Sequence, residues 1–562
     1  MIVECVPNFS EGRDREKIAA ITRAIESAPG VTLLDVDPGA DTNRTVVTLV
    51  GAPADVVEGA FRGIAEAARQ IDMRQHHGAH PRMGATDVCP FIPVSGVTME
   101  ECADLARQLG ERVGAELGIP VYLYEQAASK PAWRNLANVR AGEYEGLAAR
   151  AADPAWKPDF GPAAFHAKSG ATAIGAREFL IAYNVNLNTR SKALAHDIAL
   201  VIRESGRRKR DANGKAVRDA NGDFVIEPGK LRECKAVGWY IPEYGAAQIS
   251  INLTNYHVTP MEAAYDVVEE LALARGLRVT GSEIVGLVPL EAMRHAGAHY
   301  LRKQGASTAV PEPELVHTAV RSLGLGDLGP FDANEKIIEY RLRRGGRLVD
   351  LTVGAFADEL SSESPAPGGG SVASLMGALS AALSAMVANL THGKAGYERE
   401  WKSMDEFGFE AQALKDAFLA DVDRDTDAFN ELFAAMKMPR KTPDETSARD
   451  AAVLQATKNA TRVPLDVLER TARTAELARE VARRGNRNSL SDAGVAALAA
   501  ASCARGAFYN VLINLEGLAD ASWAADTRSS AARALSAVVA TCDEVSREVT
   551  EALEAAAKAP VS

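Results

Sequence analysis

Residues 71–94 read IDMRQHHGAHPRMGATDVCPFIPV, and this stretch sets the architecture of the chain around it. Its first half is broken by Gly78, Pro81 and Gly84, which interrupt regular helix and favour a loop. Its second half, Val88–Ile92, is a short β-like apolar run. Ala54–Gln70 before it and Thr98–Leu117 after it have helical spacing, the latter opened by the capping-box pair Thr98 and Glu101. Helix, loop, strand and helix in succession describe a sheet with helices packed against it. The loop holds three histidines, His76, His77 and His80. Titratable side chains on a loop between regular elements point to proton transfer.

Residues 1–325 repeat this alternation. Ile2–Val6, Val31–Val36, Thr45–Val50 and Val121–Tyr124 are further strand candidates. Near Glu178 the pattern restarts, with strands at Phe179–Leu187, Ala236–Ile241 and Gln248–Leu253 and helices at Ser191–Ser205 and Pro260–Arg275. We therefore expect two α/β subdomains of similar plan, residues 1–177 and 178–325. Arg207–Pro228 interrupts the second with a doubled DANG, the signature of an exposed hairpin or loop. Residues 326–349 read as a linker. Beyond it, 350–562 is Ala-rich and almost free of β-type alternation, which predicts a separate all-helical bundle. The expected fold is thus multidomain, two α/β (sheet-plus-helices) subdomains followed by an all-α domain.

A length of 562 residues suits several cores, and 47% hydrophobic with 25% charged residues is ordinary for a soluble protein. The net charge of −12 argues against a nucleic-acid partner. Six scattered cysteines without a CxxC pair fit a reduced, cytoplasmic protein with no structural zinc. The N-terminus lacks a basic region followed by an apolar one, so no secretory signal is expected. Gly368–Thr391 is uncharged and long enough to span a bilayer, but its serines, Gly377 and lack of aromatic flanks favour a buried bundle helix and no membrane.

Two chemistries compete for the histidine loop beside plain packing. His76 and His80 have the spacing of a helical metal pair with Cys89 as a third ligand, yet Gly78 and Pro81 oppose the helix. The alternative is an acid–base histidine with Arg82 beside it to hold a carboxylate. Asn8–Gly12, Asp37 and Asp41–Thr45 sit at ends of β-like runs, where ligands often bind but where turns also need Asp, Asn and Gly. In the helical half, Pro367-Gly368-Gly369-Gly370-Ser371 opens a helix, either as an anion-binding turn or as a simple N-cap. Asp423, Asp425 and Asp427 alternate along a helix, and steps of two residues cannot share one face.

In order, VECVPNFSEG, LLDVDPG, TNRTV, HHGAHPRMGATDVCPFIPV, RAGEYEGL, PDFGPAAFHAKSGAT, FLIAYNVNL, AVGWYI and EIVGLVPL resemble the formiminotransferase domain of the formiminotransferase-cyclodeaminases. The resemblance implies that His80, in the HPRMG motif, is catalytic, with Asp37 or Asp41 as its partner. It also implies that folate binds along Gly161, Pro162, Ala163, Ala164, Phe165, His166, Ala167, Lys168, Ser169 and Gly170. Over 350–562, PAPGGGSVA, VDRDTDAF, AMKMPRKTP, the Val463-Pro464-Leu465 break and AFYNVLINL resemble the cyclodeaminase domain, which implies a catalytic Asp425.

The resemblance implies a bifunctional folate enzyme of histidine degradation. The formimino group would pass from N-formimino-L-glutamate to tetrahydrofolate, which would then cyclise to 5,10-methenyltetrahydrofolate with loss of ammonia. Tetrahydrofolate, polyglutamylated, is the expected co-substrate; no metal is expected, and the partners are small molecules and further copies of the chain, as a dimer or higher oligomer. The rivals are a formimino- or formyltransferase whose helical half serves assembly, and a binding scaffold without turnover.

Overall fold

The opening apolar run becomes the middle of a sheet. β1 (Ile2–Cys5) and β2 (Asn8–Phe9) form one interrupted line, each paired antiparallel with β4 (Arg44–Gly51) and β5 (Thr86–Ser95). β3 (Thr32–Gly39) pairs with β4, and β7 (Thr172–Ala176) and then β6 (Val121–Glu125) extend the sheet beyond β5 in parallel. The computed structural model describes residues 1–40, 42–78, 81–211, 214–242, 244–342 and 347–558; His80 and Asp41 lie outside the described residues.

Successive strand residues point to opposite faces, and both faces of this sheet are covered. Helices α1 (Arg15–Glu26), α2 (Pro53–Gln70) and α3 (Met99–Arg112) pack on one, where Ile25, Ile64 and Leu109 meet Leu49, Phe91, Leu123 and Ile174. On the other, Tyr122, Tyr124, Val88 and Ala173 pack with Trp133, Val139 and Leu147. Burial on both sides explains why Val88–Ile92 of β5 reads as an apolar run without alternation. It also explains why β7, TAIGA, gives no strand signal: all five residues are buried, so nothing alternates.

The second sheet runs in the order Cys234–Ile241, Ala246–Leu253, Ile181–Leu187, Val279–Val285, all antiparallel. Helices Lys192–Ile202 and Met261–Leu273 pack against it, as the two-subdomain expectation requires. Val279–Val285 escapes the sequence pattern because the pairing register shifts at Gly281, whose φ is +140°. The insertion forms a small hairpin, Arg207–Arg208 against Ile226–Glu227, with Arg208 and Arg218 both stacked on Phe224.

By contacts the chain divides into two units: Met1–Ala292 with Gly324–Leu342, and Met293–Leu323 with Arg343–Ser562. Residues 293–323, expected from sequence to end the α/β part, therefore group with the helical unit. There Ser307 Oγ bonds Asn389 Oδ1 at 2.7 Å and Asp405 Oδ1 at 3.0 Å, and the Ala309 carbonyl accepts from Asn389 and Gln412.

Five long helices dominate the second unit: Gly369–Thr391, Trp401–Met436, Pro443–Arg484, Leu490–Leu515 and Ala521–Lys558. The uncharged Gly369–Thr391 helix packs against three of the others, and its buried hydroxyls turn to backbone: Ser374 to Gly370, Ser384 to Ser380, Thr391 to Val387. This helix and Arg487–Leu515 are long and apolar enough to cross a membrane by length and composition. The break expected at Pro464 is absent; the helix runs through it. Proline removes the N–H that would bond to the carbonyl four residues earlier, and Asn514 Nδ2 satisfies that Ala460 carbonyl instead, at 2.9 Å.

Candidate functional site

The histidine loop is pinned from below by Asn43, a buried residue in the left-handed region (φ +50°). Its Oδ1 accepts from Gly12 N–H, its Nδ2 donates to the His77 carbonyl at 3.0 Å, and its own carbonyl lies 2.9 Å from His76 Nε2. Gly78 lets the loop press this close: a Cβ there would lie 2.2 Å from the Thr42 carbonyl oxygen. On the far side of the His76 ring, Arg82 Nε donates to Nδ1 at 3.3 Å, so Nδ1 is the acceptor and Nε2 carries the proton to Asn43. Burial pushes the His76 imidazole below its ordinary range. His76 is therefore a neutral strut of the loop.

Arg82 does not present the free guanidinium expected from sequence. It forks onto both oxygens of Glu145 at 2.8 and 2.9 Å and reaches Glu143 at 3.2 Å. These bonds hold the Glu145 carboxyl below the usual range and tie the loop to residues 143–145. Asp37 is exposed on β3 opposite Val46, within the field of Arg44. Cys89 faces the core, its sulfur 3.4 Å from that of Cys5.

The stretch 161–170 and the histidine loop, far apart in sequence, meet directly. Ala85 N–H donates to the Ser169 carbonyl and Ala171 N–H to the Met83 carbonyl, with Gly84 bridged to Gly170. Gly170 (φ +67°) is obligatory, since a Cβ would lie 2.2 Å from the Met83 oxygen. Tyr144 holds the outer part, its hydroxyl donating to the Ala167 carbonyl at 2.6 Å and its ring lying 5.5 Å from that of Phe165. Phe165 is exposed, and Lys168 Nζ donates to the Arg69 carbonyl.

Two further polar residues stand here that the sequence reading passed over. Asp87, wholly buried in β5, bonds Met83 N–H at 2.9 Å and the guanidinium of Arg140. A charged residue inside an otherwise apolar strand was the available signal. Arg140 lines a cavity of about 760 Å³ within the first unit. Pro81, Glu125 and Glu143 line it from the first subdomain, and Glu233, Lys235 and Asn255 from the second.

In the helical unit the three alternating carboxylates part company, as their spacing requires. Asp423 bonds the Leu348 N–H at 2.7 Å and Arg347, and Asp427 is exposed. Asp425 lies against the first turn of the Gly369–Thr391 helix, where Ser371 Oγ approaches its Oδ2 at 3.4 Å. Gly370 makes the seat: a Cβ would lie 2.0 Å from Asp425 Oδ1. Burial raises the Asp425 carboxyl above its ordinary range, against the lowering pull of the Ser371 hydrogen bonds. Neighbouring Asp421 is neutralised by Arg424 and Arg470. A partly buried carboxyl beside a glycine turn is suited to taking and returning a proton.

Three family models cover the chain in order. Residues 2–177 match the formiminotransferase domain, N-terminal subdomain; 182–343 the formiminotransferase domain; and 352–533 formiminotransferase-cyclodeaminase. A formimidoyltransferase-cyclodeaminase of Rattus norvegicus is 43% identical over 522 residues, covering 92% of this chain and 93% of the relative. A glutamate formimidoyltransferase of Thermoplasma acidophilum is 45% identical over 306 residues, 54% of this chain and 93% of its own length. A methenyltetrahydrofolate cyclohydrolase of Methylorubrum extorquens is 38% identical over 173 residues, 31% of this chain and 83% of its own.

Proposed function

Because the chain belongs to the formimidoyltransferase-cyclodeaminase family, we propose that it moves a formimino group from N-formimino-L-glutamate to tetrahydrofolate and then cyclises the product with release of ammonia. The observation that carries the reading is that one relative bearing both activities in its name aligns with both units of this chain, over 92% of its length.

In the transfer, N5 of the folate attacks the amidine carbon, giving a tetrahedral intermediate with two competing nitrogens. The proton lost from N5 must reach the glutamate nitrogen before that bond breaks. His80 takes this role, since imidazole titrates near neutrality. Two features support the assignment: its sequence neighbours Pro81 and Arg82 are built into the cavity wall and the Glu143–Glu145 clamp, and the loop they open is bonded to residues 161–170. Residues 161–170 bind the folate, with the exposed Phe165 and the small residues beside it as the contact surface. Asp37, or Asp41, orients the histidine.

In the cyclisation, N10 attacks the formimino carbon held as its amidinium. The N10 proton passes to the amine, which leaves as ammonia, and the charge remains on the methenyl product. Asp425 accepts and returns that proton; its raised pKa and its seat at the Gly370 turn support this. The folate carries a polyglutamate tail, and the enzyme works in the cytoplasm as a homo-oligomer, to which exposed Leu390, Leu498 and Ile513 offer apolar contact.

Methenyl-folate formation, followed by absorbance alongside ammonia release, tests the whole. Asp425→Asn should abolish ammonia release while transfer continues, and His80→Ala should stop transfer while exogenous 5-formiminotetrahydrofolate is still cyclised. Unchanged deamination by Asp425→Asn would remove the second assignment and leave the helical unit an assembly module.

A further inference from the structure

We infer that Arg140 is the seat for a carboxylate of the amino-acid donor and that Asp87 holds it in position; this rests on the transferase reading above. The sequence of β5 carries one residue more than β2 can pair. Asn8 is opposite Val88 but Phe9 is opposite Thr86, so Asp87 is the extra residue of a β-bulge. Bulges re-aim a side chain that the pleat would otherwise send to the other layer. The re-aimed group here is a carboxylate with no exposure, and a charge so placed needs fixed partners. The Met83 N–H supplies one and the guanidinium of Arg140 the other.

Arg140 follows the short helix Leu136–Val139 and lines the cavity beside Pro81 and Glu143. Among the described residues Asp87 is its one side-chain partner, and its Nε is buried without an acceptor. That nitrogen is enclosed by the protein, so the donors open to a ligand are those at the outer edge of the guanidinium, where the side chain keeps 18% of its exposure. The planar guanidinium fork matches a carboxylate, and a counter-ion that fixes one nitrogen leaves the remaining donors in a set orientation. The other cations on the wall are less suited: Arg177 donates to the Glu178 carbonyl at 2.9 Å, and Lys235 is exposed. Glu125, Glu178 and Glu233 repel an anion from other parts of the wall, and Glu143 beside Arg140 is paired with Arg82. A short donor whose formimino carbon reacts beside Pro81 must place its own carboxylates within a few bonds of that point. The glutamate of the folate lies at the far end of a longer molecule.

The test is steady-state transfer by the full chain, wild type against Arg140→Gln and Arg140→Lys. The donors are N-formimino-L-glutamate, N-formimino-4-aminobutyrate (no α-carboxylate) and N-formimino-L-glutamine (no γ-carboxylate). Arg140→Gln should raise KM for N-formimino-L-glutamate about 10- to 100-fold, with KM for tetrahydrofolate unchanged. One of the truncated donors should show a similar loss with wild type and no further loss with the variant. Arg140→Lys, which keeps a charge against Asp87, should show the same pattern at smaller amplitude and carries the test if Arg140→Gln does not fold. Equal losses on all three donors would reduce Arg140 to a structural ion pair. A change confined to tetrahydrofolate would assign the seat to the folate glutamate and overturn the inference, as would no change. Wild type inactive with N-formimino-L-glutamate would instead defeat the transferase reading, and the inference with it.

Discussion

The missing side chain of Gly370 decides what Asp425 can do. A methyl group at position 370 would stand 2.0 Å from Asp425 Oδ1, so Gly370→Ala must swing the carboxyl out of its seat. A displacement of about 1 Å at a reacting group costs on the order of 100-fold in rate, so ammonia release should fall by about that factor while formimino transfer is unaffected. At Glu4 the consequence is pH dependence. Burial pushes this carboxyl up to about 7, offset in part by Arg177, whereas the unfolded chain titrates it near its ordinary value. Between those two values the folded chain keeps a proton that the unfolded chain has lost, so stability declines as pH rises through the window. Above it the cost is about 3 kcal/mol. Glu4→Gln should therefore melt higher than wild type by about 5 °C at pH 8 and match it at pH 4. Equal melting at pH 8 would contradict the burial argument.

At the scale of elements, the Pro464 helix shows how a local rule is overridden by one distant side chain. Asn514→Ala leaves the Ala460 carbonyl unpaired and should destabilise the helical unit by about 1–3 kcal/mol in denaturant titrations. Pro464→Ala restores a backbone donor, so in its presence the Asn514 substitution should cost far less. Sequence periodicity located the long helices and the amphipathic strands because one face of each is wet. It passed over β7, buried on both sides, and the strand at Val279, where the register slips at Gly281. The site was legible to the same degree. The glycines, Asp425 and the histidine loop stand out in the chain as residues. The Arg82–Glu145 fork and the Asp87–Arg140 pair do not, because each joins segments more than 50 positions apart. Arg82 illustrates the difference: its place beside the histidines suggested a free anion holder, and the fold gives it to the protein's own carboxylates.

At the scale of the whole molecule, the chain leaves the first unit at Ala292, returns at Gly324 and leaves again after Leu342. The two units are therefore not consecutive segments, and no single cut separates them. A fragment starting at residue 350 discards the hydroxyl of Ser307 and the carbonyl of Ala309, and so strips partners from Asn389, Asp405 and Gln412. A fragment starting at residue 293 keeps them and should unfold at a higher denaturant midpoint than the shorter one. Gene truncation at the apparent border would thus injure the half it was meant to isolate, and an inactive short fragment would speak to the cut and not to Asp425.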